Sequence, residues 1–189
     1  MLTFYIRLGN GVPKLHSRSI MSLTSTSIDP LRFREALGYY ASGITVITSL
    51  VETGPIGFTC QSFYSVSMNP PLVSFSVMSS SASYPAIRRA GRFAVNILAA
   101  DQSDISRQFA RRGDDKWQGV DWQASPLGNP IIARSLHWLD CRLHAEHVAG
   151  DHLIVIGEVL AMEQQKPAGA QPLLYFRGQY RGIAEPMDA

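Results

Sequence analysis

Cysteine is scarce in this 189-residue chain: Cys60 and Cys141 are the only two, and neither belongs to a CxxC pair. That excludes a disulfide framework and a thiolate zinc site, and two free thiols fit a reducing cytoplasm, the expected location. Charge of one sign is also lacking. The formal net charge of +2 gives no basic field for nucleic acid and none for an acidic membrane surface. No apolar run approaches the roughly 20 residues needed to span a bilayer. GxGxxG and GxxxxGK[ST] are both missing, and with them the common nucleotide-binding loops. There is no GxSxG elbow, and the acidic residues stand apart rather than in catalytic pairs.

Acidic residues are absent altogether from residues 1–28, which carry Arg7, Lys14, His16 and Arg18. MLTFYI is too short for a secretory core, so 1–28 is expected to be an upstream extension, and 29–189 a single domain. A hydrophobic content of 46% against 17% charged residues supports a globular core in that domain.

Asp29-Pro30 opens a helix, and Phe33, Ala36, Leu37 and Tyr40 recur at helical spacing, so the helix is expected over 30–41 with Gly43 ending it. GITVITSL (43–50) is β-branched and reads as a strand, and IGFTCQSFYSV returns as one second strand. PLVSFSVM (71–78) and FAVNILA (93–99) are further strands, with a short helix around PAIRRAG between them. Asp101 is expected to cap a helix running through Phe109, and 110–134 to be a long surface excursion. SLHWLDCRLHAEHV and HLIVIGEVLAMEQQ form a hairpin through AGD, and PLLYFRGQYRGI is one last strand. So many strands with so few helices exclude a doubly wound parallel sheet. A mainly β, antiparallel barrel with a few flanking helices manages its edges best.

The chemistry concentrates in two polar stretches. HAEH suggests a metal site, but on an alternating strand His144 and His147 point to opposite faces, so no metal is expected. GFTCQSFYSVS places Thr59, Cys60, Gln61, Ser62 and Ser65 in a row without one charge. After the next strand, Ser79–Ser83 precede a helix carrying Arg88 and Arg89, a combination suited to phosphate. A flat heterocycle against the first stretch, with a phosphate tail at the second, describes a flavin better than a sugar or a lipid.

FREALGYYASGITVIT, GFTCQSFYSVSMNPPLV, the serines after the next strand, GRFAVNILA, GDH and LLYFRGQYRGI follow one another in this order. Over residues 30–183 the chain resembles the flavin reductase-like family, with its Greek-key FMN-binding split barrel. It resembles most the small reductase components of two-component flavin-dependent monooxygenases. The family's T-A-N-S-F is here Thr59, Cys60, Gln61, Ser62 and Phe63, with Ser65 opening the S-V-S that follows.

The resemblance implies that Ser80, Ser81 and Ser83 meet ribityl and phosphate oxygens. Lys116 lies near the phosphate, and Gly150, Asp151 and His152 lie on the nicotinamide side, His152 being the one catalytic candidate. It implies FMN or FAD as cofactor, NADH or NADPH as hydride donor, a separate monooxygenase as recipient of reduced flavin, and a homodimer. The aromatics of LLYFRGQYRGI, which a monomer would leave exposed, point to the same dimer. The alternatives are a non-catalytic flavin-binding or electron-carrier protein, a pyridoxamine-phosphate-oxidase-like flavoprotein, and a barrel carrying an apolar ligand.

Overall fold

β-Branched runs supply the frame of the protein. The computed structural model describes residues 28–113, 115–165 and 169–183, so the expected extension lies, but for its last residue, outside the described residues. Thr45–Val51 (β2) pairs antiparallel with Gly54–Cys60 (β3) and with Arg92–Ile97 (β6). Residues Thr45 to Ser49 are all buried, because both faces of β2 are covered. Ile47 faces a core with Phe75, Phe93, Val95 and Val155, all fully buried. Val46 faces a second cluster with Ile44, Leu98, Phe109, Ile132 and Leu173.

His137–Ala149 (β9) and His152–Gln164 (β10) form the long hairpin, with Gly150 at φ 63° in its turn, a left-handed position that glycine takes without cost. Pro71–Met78 (β5) and Tyr64–Met68 (β4) complete a seven-stranded antiparallel sheet in the order β3-β2-β6-β9-β10-β5-β4. β3 and β4 are thus its two edges, yet only Gln61–Phe63 separates them in sequence. That link spans at most about 14 Å, whereas the outer strands of a flat seven-stranded sheet stand roughly 29 Å apart. The sheet must therefore curl until its edges meet. The ring of Phe75 lies inside, edge-on to Phe58, Tyr84 and Phe93 at 5.9, 6.2 and 5.2 Å between centroids.

The mainly β, antiparallel architecture is as expected, and several element boundaries are corrected. The first helix, α1, spans Pro30–Leu37, with Asp29 accepting from Leu31 N at 2.9 Å. It stops at Gly38, not Gly43. The Gly38 carbonyl is taken by Arg177 N at 3.0 Å, and Ser42–Gly43 (β1) pairs with Leu174–Phe176 (β11). The expected single strand over 56–66 is two, β3 and β4, broken at the barrel's closure.

Tyr84–Ala90 is α2, and Ser103–Ala110 is α3. Gln102, not Asp101, precedes α3, and Asp101 is paired with Arg134 at 2.6 Å. The 110–134 excursion contains Trp122–Ala124 (β7) and Pro130–Ile132 (β8), and all of β8 is buried because the Asn96 amide accepts from Ile132 N at 2.8 Å. The expected last strand is a hairpin, β11 turning at Arg177-Gly178 into Gln179–Arg181 (β12). Its aromatics are not left exposed. Tyr175 and Tyr180 pack on the second core cluster, and Phe176 meets Tyr39 edge-on at 6.5 Å.

Candidate functional site

The polar stretch at the β3–β4 junction is largely spoken for by the fold. Thr59 Oγ1 donates to the Ser106 carbonyl of α3 at 2.6 Å. Cys60 is buried, its sulfur 3.3 Å from Ser62 Oγ, and burial pushes its thiol pKa up. The Ser62 hydroxyl accepts from Ser76 N at 2.8 Å and donates to Ser76 O at 3.1 Å. Since Tyr64 pairs with Ser74, Ser62 falls opposite Ser76, and its side chain continues the ladder where the main chain leaves it. Gln61 and Ser65 are exposed, so they are the groups of this stretch open to a ligand.

The serine loop divides two recesses. On one side a cleft of about 370 Å³ is lined by Thr53, Gly57, Ser83, Lys116 and Trp117. Lys116 Nζ donates to Gly57 O at 3.3 Å and to Phe109 O at 3.2 Å, and burial lowers its pKa. Two carbonyls leave the ammonium one donor for a ligand. Ser83 makes no side-chain cap bond, and among the described residues no carboxylate lines this cleft. Hydroxyls and an ammonium without an acid fit a phosphate. On the other side a recess of about 290 Å³ is lined by Ser79, Ser81, Arg88 and Arg89. Ser80 is exposed on the loop between them.

The hairpin turn reaches the same loop. The Asp151 carbonyl accepts from Ser79 N at 2.9 Å, and His152 pairs in register with Met78. His152 Nδ1 donates to Asp151 Oδ1 at 2.7 Å, and this bond holds the Asp151 carboxyl below its ordinary value. That bond fixes the ring of the partly exposed His152, and among the described residues Nε2 has no hydrogen-bond partner. The tertiary structure therefore brings Ser79–Ser83, Lys116 and Gly150–His152 to one region. It gives Thr59, Cys60 and Ser62 bonds within the fold.

On β9 a bulge interrupts the alternation expected between His144 and His147. Leu143 pairs with Gly157 and Ala145 with Ile156, so His144 is the extra residue. Among the described residues no group of three His, Cys, Asp or Glu side chains could hold a metal.

Residues 37–184 match the family model described as "Flavin reductase like domain". The chain belongs to this family. Reductase subunit HsaB of a flavin-dependent monooxygenase from Mycobacterium tuberculosis is 45% identical over 159 residues, 84% of this chain and 85% of that protein. Nitrilotriacetate monooxygenase component B from Mycobacterium thermoresistibile superposes with a TM-score of 0.81 at 43% identity, covering 84% of this chain and 90% of that one. The NADH:FAD oxidoreductase SgcE6 from Streptomyces globisporus does so at 0.78 and 33% identity, covering 85% and 91%.

In this flavin reductase-like domain, one group at the site carries no signal in the sequence. The hydroxyl of Tyr84, at the start of α2, donates to Glu146 Oε1 on β9, and Arg88 Nε is 2.7 Å from Glu146 Oε2. Burial first, and the carboxylate next, raise the Tyr84 pKa. Glu146 thus ties the helix behind the serine loop to the barrel wall. Nothing in HAEH marks that role, because the partner lies 62 positions away.

Proposed function

We propose that this protein is the reductase component of a two-component flavin-dependent monooxygenase, using FMN or FAD with NADH or NADPH. The observation that carries the reading is the juxtaposition of the Ser83–Lys116 cleft with the Asp151–His152 turn across the Ser79–Ser83 loop. Flavin, when bound, takes a hydride from the nicotinamide, so no protein nucleophile is required.

The residues bind and orient. Ser83 and the remaining Lys116 donor hold the phosphate, with Ser80 and Ser81 beside it. Gln61 meets the polar edge of the ring with its amide, and Ser65 lies further along the exposed edge strand. His152, fixed by Asp151, offers Nε2 to the nicotinamide carboxamide and holds that ring for transfer. An imidazolium there also offsets negative charge on reduced flavin. Gly150 shapes the turn that aims it. HsaB is by name a monooxygenase reductase subunit and SgcE6 an NADH:FAD oxidoreductase, which supports the same activity and a separate oxygenase partner here.

The protein works as a homodimer in this reading. α1 buries none of its residues, and its Leu31, Phe33 and Leu37 are exposed, a surface that a second copy covers.

The test is oxidation of NADH and of NADPH by pure protein, with and without FMN or FAD. Turnover that depends on added or bound flavin is expected. Flavin binding without nicotinamide oxidation would reduce the protein to a carrier, and no binding of either flavin would remove the reading.

A further inference from the structure

A flavin phosphate at Ser83 and Lys116, with Ser81 beside it, leaves Ser79, Arg88 and Arg89 of the recess on the far side of the serine loop unused. The recess wall contains Ser79, Ser81, Arg88, Arg89 and the apolar Met78 and Leu153. The charges there do not cancel. Glu146 is engaged by Arg88 Nε and by the Tyr84 hydroxyl, whereas Arg89 makes no ion pair among the described residues and is exposed. Ser81 Oγ accepts from Tyr84 N at 3.3 Å, which leaves its hydroxyl hydrogen to donate outward. Ser79 N is satisfied by Asp151 O, and among the described residues the Ser79 hydroxyl has no hydrogen-bond partner.

The recess therefore presents guanidinium and hydroxyl donors on one side and an apolar edge on the other, a pattern that suits a phosphate ester carrying a flat ring. FMN has one phosphate and nothing further to place here. FAD and the nicotinamide dinucleotides each carry an adenosine diphosphate half.

We propose that the recess between the serine loop and Arg88–Arg89 binds the adenosine diphosphate moiety of a dinucleotide ligand. This rests on the flavin reading for the neighbouring cleft, and the test separates the two. ADP itself is the probe, titrated by calorimetry into the parent protein, Arg89→Gln and Arg89→Glu. Arg89 is exposed and its replacement leaves the fold intact, which circular dichroism checks.

ADP affinity is expected to fall about fivefold in Arg89→Gln and about tenfold or more in Arg89→Glu. FMN affinity, measured by fluorescence quenching, stays within about twofold. Raising the ionic strength should weaken ADP binding to the parent and affect Arg89→Gln less. Loss of FAD affinity with NADH kinetics intact assigns the site to the flavin dinucleotide. A raised KM for NADH with FAD affinity intact assigns it to the nicotinamide dinucleotide. No ADP binding by the parent, or equal ADP affinity in all three proteins, overturns the proposal. Failure of the parent to bind FMN would instead overturn the reading of the neighbouring cleft.

Discussion

His152 owes its aim to a single neighbour. With Nδ1 on Asp151 at 2.7 Å, the ring cannot turn without losing a charge-assisted bond. Replacing His152 by Ala should raise the KM for NADH several-fold and lower kcat modestly, with flavin affinity within about twofold of the parent. Unchanged NADH kinetics would return the histidine to a turn-closing role. Lys116 makes a pH prediction. Burial lowers its folded pKa below the ordinary lysine value, so its charge is lost at a lower pH than an exposed lysine would require. FMN affinity should therefore decline as pH rises through that value, while riboflavin, which has no phosphate, shows no decline. The sign for stability is opposite. Between the depressed folded pKa and the ordinary value the unfolded chain binds more protons, so folding gains stability as pH rises. Lys116→Arg, charged throughout, should abolish both trends.

α2 and β9 are joined by Glu146, and β10 meets β6 through Gly157. Glu146→Ala leaves the Tyr84 hydroxyl buried without an acceptor, at a cost of about 2 kcal/mol. Little of that loss comes from Arg88, which is 61% exposed. A lower urea midpoint at constant m is expected, and Tyr84→Phe should absorb most of the effect in the double variant. An unchanged midpoint in Glu146→Ala would deny the clamp. Gly157 is a matter of space. A Cβ there would fall 2.3 Å from Phe93 Cζ and 3.2 Å from Cys141 Cβ, inside the packed core. Gly157→Ala should cost about 2–3 kcal/mol, and Phe93→Leu in the same chain should recover part of it. Simple additivity of the two losses would place the clash elsewhere.

Across the described residues, two groups of exposed apolar side chains lie on α1 and on the edge strand β4. Phe33 and Leu37 are exposed in the first, and Tyr64, Val66 and Met68 in the second. An eight-residue helix with no buried side chain is marginal in water, so α1 needs a surface to lie on. Light scattering at micromolar concentration should give twice the chain mass of 20.8 kDa. The melting temperature should rise with protein concentration, and Phe33→Glu should shift the mass toward the monomer. A parent protein that runs as a monomer would refute the dimer.

The antiparallel β class, the Asp29 cap, the hairpin through Gly150 and Asp151, and the residue types of the Ser79–Ser83 loop are legible along the chain alone. These follow from backbone preference, side-chain period and turn chemistry, which are properties of near neighbours. Only the tertiary structure decided that β3 and β4 are opposite edges of one curled sheet, because strand order is set by the closure of the core. The same closure sends the Thr59 hydroxyl to Ser106, 47 positions on, and the Tyr84 hydroxyl to Glu146, 62 positions on. It also packs Tyr175 and Tyr180 of the last hairpin against the second core cluster, where Ser106 Oγ meets the Tyr180 hydroxyl at 2.9 Å across 74 positions. Hydroxyls and aromatic rings look alike in sequence whether they face a ligand, a partner or the interior. Which of these they meet depends on contacts made across the whole chain, and those exist only once the barrel has closed.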